Sequence, residues 1–307
     1  MDRLPIRFVK KDDSGSAILR AHQMAEALRS RGHDALVAVS AADVRESLVV
    51  FVKHLEKEEI DLAAAQGNVV VFDPVDKFTF HDFSRYDADE VRRYFRGLHG
   101  VIHPNSRHMK DFREYFPEDA QHAVIHHHWD PRFRAAAAGG CRPGDRFSIG
   151  YIGDAANFVP AAPEVTAVFD YARRLDECGR FTCHYSVRTD STGLRYKPAT
   201  KVSVAACMEA NIVTTRDDSA LELLGADYPY FTDPQPEAVR ETVRYARETF
   251  GSETWRKGLS RMNEVRARTR LSRIAKKYEN FFLGLAGESR MHVKGRGQEA
   301  FRAGNVT

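Results

Sequence analysis

The amino-acid sequence predicts an α/β protein made of two successive domains. Short apolar runs alternate with segments of helical spacing along most of the chain. Strands separated by helices in this way imply parallel βαβ units. A stretch rich in alanine and glycine at 134–145 interrupts the alternation, which restarts after it. The length of 307 residues also fits two domains, since a domain commonly holds about 150 residues.

The first domain is predicted to span residues 1–133. Its first helical segment has apolar residues three or four positions apart, namely Ala17, Ala21, Met24, Ala25 and Leu28. Gly32 follows, as is typical of the residue that ends a helix. In chain order, the predicted strands are 4–9, 35–39, 47–53, 69–72, 100–103 and 122–127, and the predicted helices are 16–31, 54–66, 89–99 and 107–116.

The second domain is predicted to span residues 146–268. Its predicted strands are 147–152, 181–187, 212–215 and 230–232, and its predicted helices are 163–178, 200–209, 218–224 and 236–249. Residues 253–285 form a further helical pattern outside both alternations. Its apolar stripe needs a partner, so we expect a crossing helix at 269–286 that lies across both domains. Residues 287–307 hold glycines and arginines but few large apolar groups, and we expect a mobile tail there.

The composition excludes several classes of protein. Hydrophobic residues make up 43% and charged residues 29%, which rules out a mostly disordered, collagen-like or coiled-coil chain. No apolar run reaches the roughly 18 residues of a membrane-spanning helix, and the N-terminus lacks an apolar stretch of signal-peptide length. The four cysteines form no Cys-x-x-Cys pair, so we expect free thiols in a reducing cytoplasm.

The net charge of +3 is too small to demand nucleic acid as a partner, but it suits a site for a phosphorylated anion. Arginines within 266–277 are interpreted as the solvated face of a helix rather than as a nucleic-acid surface. Nucleic acid is therefore not an expected partner.

Two glycine-containing loops follow predicted strands. Residues 12–16 read Asp-Asp-Ser-Gly-Ser and open the first helix, where free backbone amides favour an anion. The serines of this loop would equally serve as N-caps, and no Gly-x-Gly-x-x-Gly fingerprint is present. Gly153 ends the first strand of the second domain, at the sheet edge where ligands bind in α/β proteins. A plain strand-to-loop turn is the alternative interpretation.

Basic residues surround a second helix start. Lys197 and Lys201 bracket Pro198 and precede the helix at 200–209, so two ammonium groups and free amides converge. This pattern predicts a phosphate site, with a solvated charged turn as the alternative. Further along, residues 214–222 follow a strand and open a helix, and they have two interpretations. Asp218 or Ser219 would be an ordinary N-cap, or Glu222 would accept hydrogen bonds from ribose hydroxyls.

The histidines at 126–128 resemble a metal-binding tract. In a strand, only His126 and His128 share a face, which supplies two ligands and no more. We therefore expect no metal site there. His22, His103 and His126 lie near predicted strand ends or a helix start, where residues that line a ligand site belong.

Taken together, these motifs resemble glycosyltransferases of the GT-B fold. The sequence Ser14-Gly15-Ser16, followed by Arg-x-His-x-x-Ala-x-x-Leu-x-x-Arg-Gly-His at 20–33, resembles the opening of these enzymes. The stretches 197–201, 212–215 and 222–224 resemble their donor-binding region, and 71–76 and 101–106 also fit. The resemblance covers residues 4–285. It implies two Rossmann-like domains facing a cleft, an acceptor on the N-terminal domain, a nucleotide sugar on the C-terminal domain, and a terminal helix packed back across the N-domain.

The resemblance implies no cofactor and no metal, because basic side chains and helix N-termini neutralise the nucleotide diphosphate. The predicted catalytic residues are Lys197, Lys201, Asp13 and His22. The predicted donor-binding residues are Gly153, Asp154, Arg188, Tyr196, Lys197, Thr200, Lys201, Ser219 and Glu222. The predicted acceptor-side residues are Ser14, Gly15, Ser16, His103, Ser106 and His126.

One departure from the family concerns acidic residues. Many retaining members carry two glutamates eight positions apart, and Tyr196 and Val204 stand at those places here. The leading hypothesis is transfer of a sugar from a nucleotide sugar to an unidentified glycan, small molecule or protein. A sugar-nucleotide epimerase of the same fold and a catalytically degenerate binding protein are the alternatives. If the reaction inverts, Asp13 or His22 would be the base; the resemblance favours retention, in which the leaving phosphate takes the proton.

Overall fold

The computed structural model describes residues 4–76, 87–138, 145–169, 175–189 and 196–303. The chain divides into two compact units. The first contains Met1–His103, His108–Ile125 and Ala275–Thr307, and the second contains Pro104–Arg107 and His126–Ile274. The second unit thus starts at His126 and also takes in a short segment from the middle of the first half.

The first unit is built on a parallel sheet of six described strands. These are β1 (Ile6–Val9), β2 (Ala35–Ala38), β3 (Leu48–Val52), β4 (Val69–Asp73), β5 (Gly100–His103) and β6 (Gln121–Val124). Their order is β2-β1-β3-β4-β5-β6, and Ile6 pairs with Ala35 on one side and Leu48 on the other. Every residue of β3 and β4 is buried, as expected for valine-rich strands covered on both faces.

Helices connect these strands. They are α1 (Gly15–Ala17) and α2 (Met24–Arg29), joined by a π-helical turn at Ile18–Gln23, followed by α3 (Lys57–Ala65), α4 (Ala88–Tyr94) and α5 (Ser106–Phe112). A 3₁₀ turn at Arg113–Tyr115 completes the segment predicted as one helix at 107–116. The last strand ends at Val124, so His126 lies beyond it rather than inside the strand predicted at 122–127.

The second unit has a parallel sheet of five described strands. These are β7 (Ile149–Ile152), β8 (Thr166–Val168), β9 (Cys183–Ser186), β10 (Asn211–Thr215) and β11 (Phe231–Thr232), in the order β11-β10-β9-β7-β8. Its helices are α6 (Pro131–Ala138), α7 (Leu175–Cys178), α8 (Thr200–Cys207), α9 (Asp218–Leu224), α10 (Pro236–Glu248) and α11 (Glu253–Arg268). Two parallel sheets with connecting helices confirm the predicted α/β fold class.

The last helix, α12 (Leu271–Ala303), joins the first unit from Ala275 onward. Tyr278 and Phe282 pack their rings against Phe8, with centroids 6.3 and 6.5 Å apart. A Cβ atom added at Gly100 would lie 2.9 Å from the ring of Phe281, so only glycine lets the helix approach the start of β5 this closely. The apolar residues Tyr278, Phe282 and Leu285 of this helix are thus buried in the first unit.

Three sequence predictions need correction. The helix predicted at 163–178 is wrong, because Thr166–Val168 is a strand that pairs with β7 and, of the described residues in this range, only Leu175–Cys178 are helical. The linker predicted at 134–145 begins as the helix Pro131–Ala138, since alanine is the strongest helix former. The helix predicted at 253–285 is two helices, because Thr269 turns its hydroxyl back onto the carbonyl of Val265 at 2.8 Å.

Two further expectations concern the chain's end and its thiols. The helix that contains the crossing segment continues to Ala303, through residues we expected to form a tail. Cys178, Cys183 and Cys207 are free and buried, while Cys141 lies outside the described residues.

Candidate active site

Each unit carries a point where the direction of strand succession reverses. In the second unit, β8 and β9 lie on opposite sides of β7, so the reversal falls between β7 and β9. Gly153 follows β7, Arg188 follows β9, and α8 begins nearby with Thr200. Ligands in open α/β sheets bind at the carboxyl ends of strands at such a point.

A lysine packed on an aromatic ring marks this edge. The Lys201 Nζ atom lies 3.6 Å from the centroid of the Tyr151 ring, within the range of a cation–π interaction. The Tyr151 hydroxyl donates to the carbonyl of Asp154 at 2.6 Å, which fixes the ring. A Cβ atom at Gly153 would lie 3.2 Å from Lys201 Nζ and 3.0 Å from the Tyr151 hydroxyl. Glycine therefore keeps the space beside the ammonium open.

Two more cations accompany Lys201, and we call Arg188, Lys197 and Lys201 the basic cluster. Burial, reinforced by the like charges of Arg188 and Lys197, lowers the pKa of Lys201 to about 7. Arg188 pairs with Asp217 at 3.1 Å and donates to the carbonyl of Pro198 at 3.2 Å. Among the described residues, neither lysine forms an ion pair with a carboxylate. The like charges of the basic cluster therefore repel one another, and a bound anion would offset this repulsion.

The remaining predicted donor residues at this edge have local partners. Asp154 caps the 3₁₀ turn Ala155–Asn157 by accepting from the amide of Ala156. The Thr200 hydroxyl and His127 Nδ1 are 3.2 Å apart. Tyr196 is half-buried immediately before Lys197. These contacts fix Asp154 and Thr200 at the carboxyl end of the sheet, next to the basic cluster.

Four predicted residues from two different groups lie at α9: Ser219 and Glu222 belong to this helix, and Ser106 and His126 contact Glu222. Glu222 accepts from the backbone amide of Ser106 at 2.7 Å and faces His126 Nε2 at 3.4 Å. Ser219 is fully buried and accepts from Asn105 at 2.6 Å. Ser106 and His126, predicted on the acceptor side, belong to the second unit, and they contact the residues predicted for donor binding.

The loop at residues 12–16, which we call the serine loop, follows β1 at the reversal point of the first sheet. Asp12 accepts from the Ser14 hydroxyl at 2.6 Å, and the Ser14 and Ser16 hydroxyls are 2.8 Å apart. The Ser14 hydroxyl also accepts from the Ala17 amide as an N-cap. The loop therefore presents a hydrogen-bonded pair of hydroxyls rather than a free charge.

The two predicted bases are exposed: Asp13 lies in the serine loop and His22 in the π-helical turn that follows it. Asp13 pairs with Lys10 at 2.5 Å, and the hydrogen bond and charge of Lys10 lower the pKa of Asp13. His22 lies on the exposed side of the π-helical turn. Lys53 and His54, which follow β3, approach Asp12 at 3.7 and 3.3 Å.

His103 is buried inside the first unit instead of lining the sheet edge. Its Nδ1 lies 2.8 Å from Nδ1 of His108, and its Nε2 lies 2.8 Å from Nδ1 of His122. Burial lowers the pKa of all three imidazoles, to about 3 for His108 and about 4 for His122. Both ring nitrogens of His103 are hydrogen-bonded to neighbouring imidazoles, those of His108 and His122. The ring therefore has no nitrogen left to bind an acceptor substrate.

Sequence reasoning missed Tyr151, Asp217 and Asn105. Tyr151 lies two positions before Gly153, and residues two apart in a strand share a face. That spacing was the available signal that Tyr151 lies near Gly153, at the carboxyl end of the sheet where ligands bind in α/β proteins. Asn105 and its partner Ser219 are 114 residues apart, and no local pattern connects them.

Among the residues that the structure describes, no group of three or more histidine, cysteine, aspartate or glutamate side chains is arranged to hold a metal ion. Of the helices so described, none is both long and apolar enough to cross a membrane.

Known structures share this architecture. A glycosyltransferase from Rickettsia africae ESF-5 superposes with a TM-score of 0.69 and 10% identity, covering 93% of this chain and 99% of its own. Anabaena Alr3699/HepE, in complex with UDP, gives 0.64 with 11% identity, covering 92% and 100%. Sucrose-phosphate synthase from Thermosynechococcus elongatus gives 0.58 with 10% identity, covering 93% and 100%.

The fold is that of the GT-B glycosyltransferases. This confirms the resemblance at the level of fold, over nearly the whole chain. By sequence, no protein-family model matches the chain. No curated protein matches it either.

Proposed function

We propose that the protein is a glycosyltransferase that uses a nucleotide sugar as donor. The observation that carries the proposal is the basic cluster at the reversal point of the second sheet. Two lysines without carboxylate partners among the described residues, one arginine and the first turn of α8 meet beside Gly153. A diphosphate is the ligand that such a group of cations and backbone amides stabilises.

The chemistry follows from charge. When the bond to the sugar breaks, negative charge develops on the β-phosphate of the leaving nucleotide. Fixed cations stabilise that charge without the reorganisation that water would need. Lys201 is held against the Tyr151 ring. Lys197 lies in the turn before α8, and its Nζ atom donates to Asn157 at 3.5 Å, so both ammonium groups have defined positions before the reaction. We propose that these residues do the work of a metal ion and that no cofactor takes part.

The donor class also draws support from known structures. Anabaena Alr3699/HepE has been described in complex with UDP and with UDP-glucose. UDP-glucose is therefore the first donor to test, with other nucleotide sugars as alternatives. The sparse cysteines favour a reducing compartment, and we propose the cytoplasm as the place of action.

A specific observation favours the degenerate binding protein as a second candidate. Val204, at the place of a family glutamate, is buried and packs in an apolar cluster with Phe133 and Met208. Tyr196 occupies the other glutamate position. Contacts that a carboxylate would make to ribose or sugar hydroxyls are thus replaced by apolar packing at one position. A protein that binds the donor without transferring the sugar would fit this pattern.

Binding and turnover separate these possibilities. Calorimetric titration with UDP-glucose and UDP, followed by assays with and without candidate acceptors, tests the proposal. Transfer that requires an acceptor supports a glycosyltransferase, consumption without acceptor supports an epimerase, and binding without turnover supports the degenerate protein.

The variant Lys197→Ala/Lys201→Ala tests the location of the site. It should lose donor affinity, while Lys257→Ala, an exposed lysine on α11, should retain it. If the folded double variant binds the donor normally, the basic cluster is not the donor site.

A further inference from the structure

The turn that carries Lys197 is held by hydrogen bonds to its backbone. Ser219 donates its hydroxyl proton to the carbonyl of Lys197 at 2.7 Å. Arg188 donates to the next carbonyl, that of Pro198, at 3.2 Å, and is itself fixed by Asp217, the N-cap of α9. The first turn of α9 therefore supports the lysine turn at two successive peptide groups.

A segment from the middle of the first half of the chain supports α9 in turn. Pro104–Arg107 belongs to the second unit, although the residues on either side belong to the first. Its Asn105 donates to Ser219 at 2.6 Å, and its Ser106 amide donates to Glu222 at 2.7 Å. The carbonyl of Pro104 accepts from His126 Nδ1 at 3.2 Å. Three consecutive residues of this segment are thus held in place around α9.

The hydrogen bonds through Ser219 have a defined direction. A hydroxyl has one proton, and Ser219 gives it to the carbonyl of Lys197 while a lone pair accepts from Asn105. Both side chains are 0% exposed, so neither can exchange this bond for water. A buried hydroxyl that lost either partner would leave an unsatisfied polar group, which is costly.

From this geometry we propose that Ser219 and Asn105 are positioning residues that fix Lys197 for the donor phosphates. The inference rests on the proposed function. It replaces the direct donor contact expected for Ser219, because a fully buried hydroxyl with its proton already donated cannot bind ribose. Glu222 accepts from the Ser106 amide and faces His126, and these contacts hold the 104–107 segment on α9.

Steady-state kinetics with UDP-glucose test the proposal. Ser219→Ala removes two hydrogen bonds, the one donated to the Lys197 carbonyl and the one accepted from Asn105. The first of these holds Lys197 and is worth about 1 kcal/mol, so the donor KM should rise roughly 3- to 10-fold. The value of kcat should change less, since Lys197 meets the diphosphate before and during the reaction. Asn105→Ala should act in the same direction, and the double variant should be no worse than the stronger single one.

Two comparisons separate positioning from loss of stability. Ser148 lies immediately before β7, at the opposite end of the strand from Gly153. Its hydroxyl donates to the Arg180 carbonyl and accepts from the Thr182 amide. Ser148→Ala should therefore lower stability without changing the donor KM. In a Lys197→Ala background, Ser219→Ala should no longer change the donor KM. An equal effect of Ser148→Ala, or an unchanged effect of Ser219→Ala without Lys197, would overturn the inference.

A measurement without ligand keeps this inference distinct from the proposed function. Amide hydrogen exchange at 197–201 should accelerate in Ser219→Ala and stay unchanged in Ser148→Ala. Unchanged exchange in Ser219→Ala refutes the positioning role even if the protein is a glycosyltransferase. If the wild-type protein binds no nucleotide sugar, the proposed function fails, and with it the role of Lys197 in donor binding.

Discussion

The reversal points of the two sheets differ in how their charges are balanced. At the first, Lys10 pairs with Asp13, and Lys53 and His54 approach Asp12. At the second, Lys197 and Lys201 have no carboxylate partner among the described residues, and burial and like charges lower the pKa of Lys201. The carboxyl end of the sheet thus offers hydroxyls and paired charges in the first unit, whereas in the second the three cations of the basic cluster outnumber the carboxylates of Asp217 and Asp154.

This difference indicates what each edge can bind. An unbalanced, half-buried ammonium gains most from an anion such as a diphosphate, because the anion removes both repulsion and poor solvation. Hydroxyls and paired charges suit a neutral polyol, which exchanges hydrogen bonds without changing the local charge. We therefore expect a donor phosphate to bind the second unit and a sugar-like acceptor to bind the first.

The largest effect should come from removing Lys201. Loss of one buried charged contact to the leaving group costs on the order of 2–4 kcal/mol of transition-state stabilisation. Lys201→Ala should therefore lower turnover roughly 30- to 1000-fold, with an unchanged fold by circular dichroism. Lys257→Ala on α11 provides the control, with wild-type turnover. A Lys201→Ala variant with near-normal kcat and donor KM would show that the basic cluster carries no catalytic role.

The next effect is a dependence of donor affinity on pH. The free protein holds Lys201 with a pKa lowered to about 7, and a bound diphosphate favours the charged ammonium and raises that pKa. Binding is then strongest when Lys201 is already protonated, below pH 7, and weakens as the pH rises above 7 because a proton must be taken up. The Kd for UDP-glucose should rise about 10-fold between pH 6 and pH 8.

Calorimetry in buffers of different ionisation enthalpy measures that proton uptake directly. Lys201→Arg, which stays charged throughout this range, should bind with a flat pH profile. A flat profile in the wild-type protein would contradict the assignment of an unbalanced ammonium to this edge.

A smaller effect should follow from changing the ring beneath Lys201. Cation–π contacts are worth about 0.5–2 kcal/mol, so Tyr151→Leu should weaken donor binding roughly 3- to 30-fold. Tyr151→Phe keeps the ring and loses only the hydrogen bond to the Asp154 carbonyl, so it should bind within about 5-fold of wild type. Equal affinities of the two variants would show that the ring itself does not position the ammonium.

The sequence predicts those parts of the candidate site whose residues lie close together along the chain. Lys197 and Lys201 were found because they bracket a proline at a helix start, and Gly153 was found because it ends a strand. Tyr151 was missed because an aromatic residue in a strand is usually core, and only the fold brings Lys201 over its ring.

Long-range contacts set the remaining limits. Ser106 and His126 were assigned to the acceptor by their place in the first half of the chain, whereas they contact Glu222 of α9. Sequence order does not reveal that a four-residue segment joins the other compact unit. Strand β8 was not predicted for the same reason, since Thr166–Val168 is fixed by pairing with β7 rather than by a sequence pattern of its own.

The smallest effect should come from Asp13, the exposed acid beside the serine loop. A general base needs a pKa near the working pH, but the hydrogen bond and charge of Lys10 lower the pKa of Asp13, and the side chain is 91% exposed. If the leaving phosphate takes the acceptor proton, as in retention, Asp13→Ala should keep turnover within about 3-fold of wild type, since exposed ion pairs contribute little. His22→Ala should behave alike, because its ring is also solvent-exposed. The anomeric configuration of the product, read by NMR against that of the donor, should be unchanged. A loss above about 100-fold in either variant, together with an inverted product, would identify that residue as the base and place acid–base chemistry on the first unit.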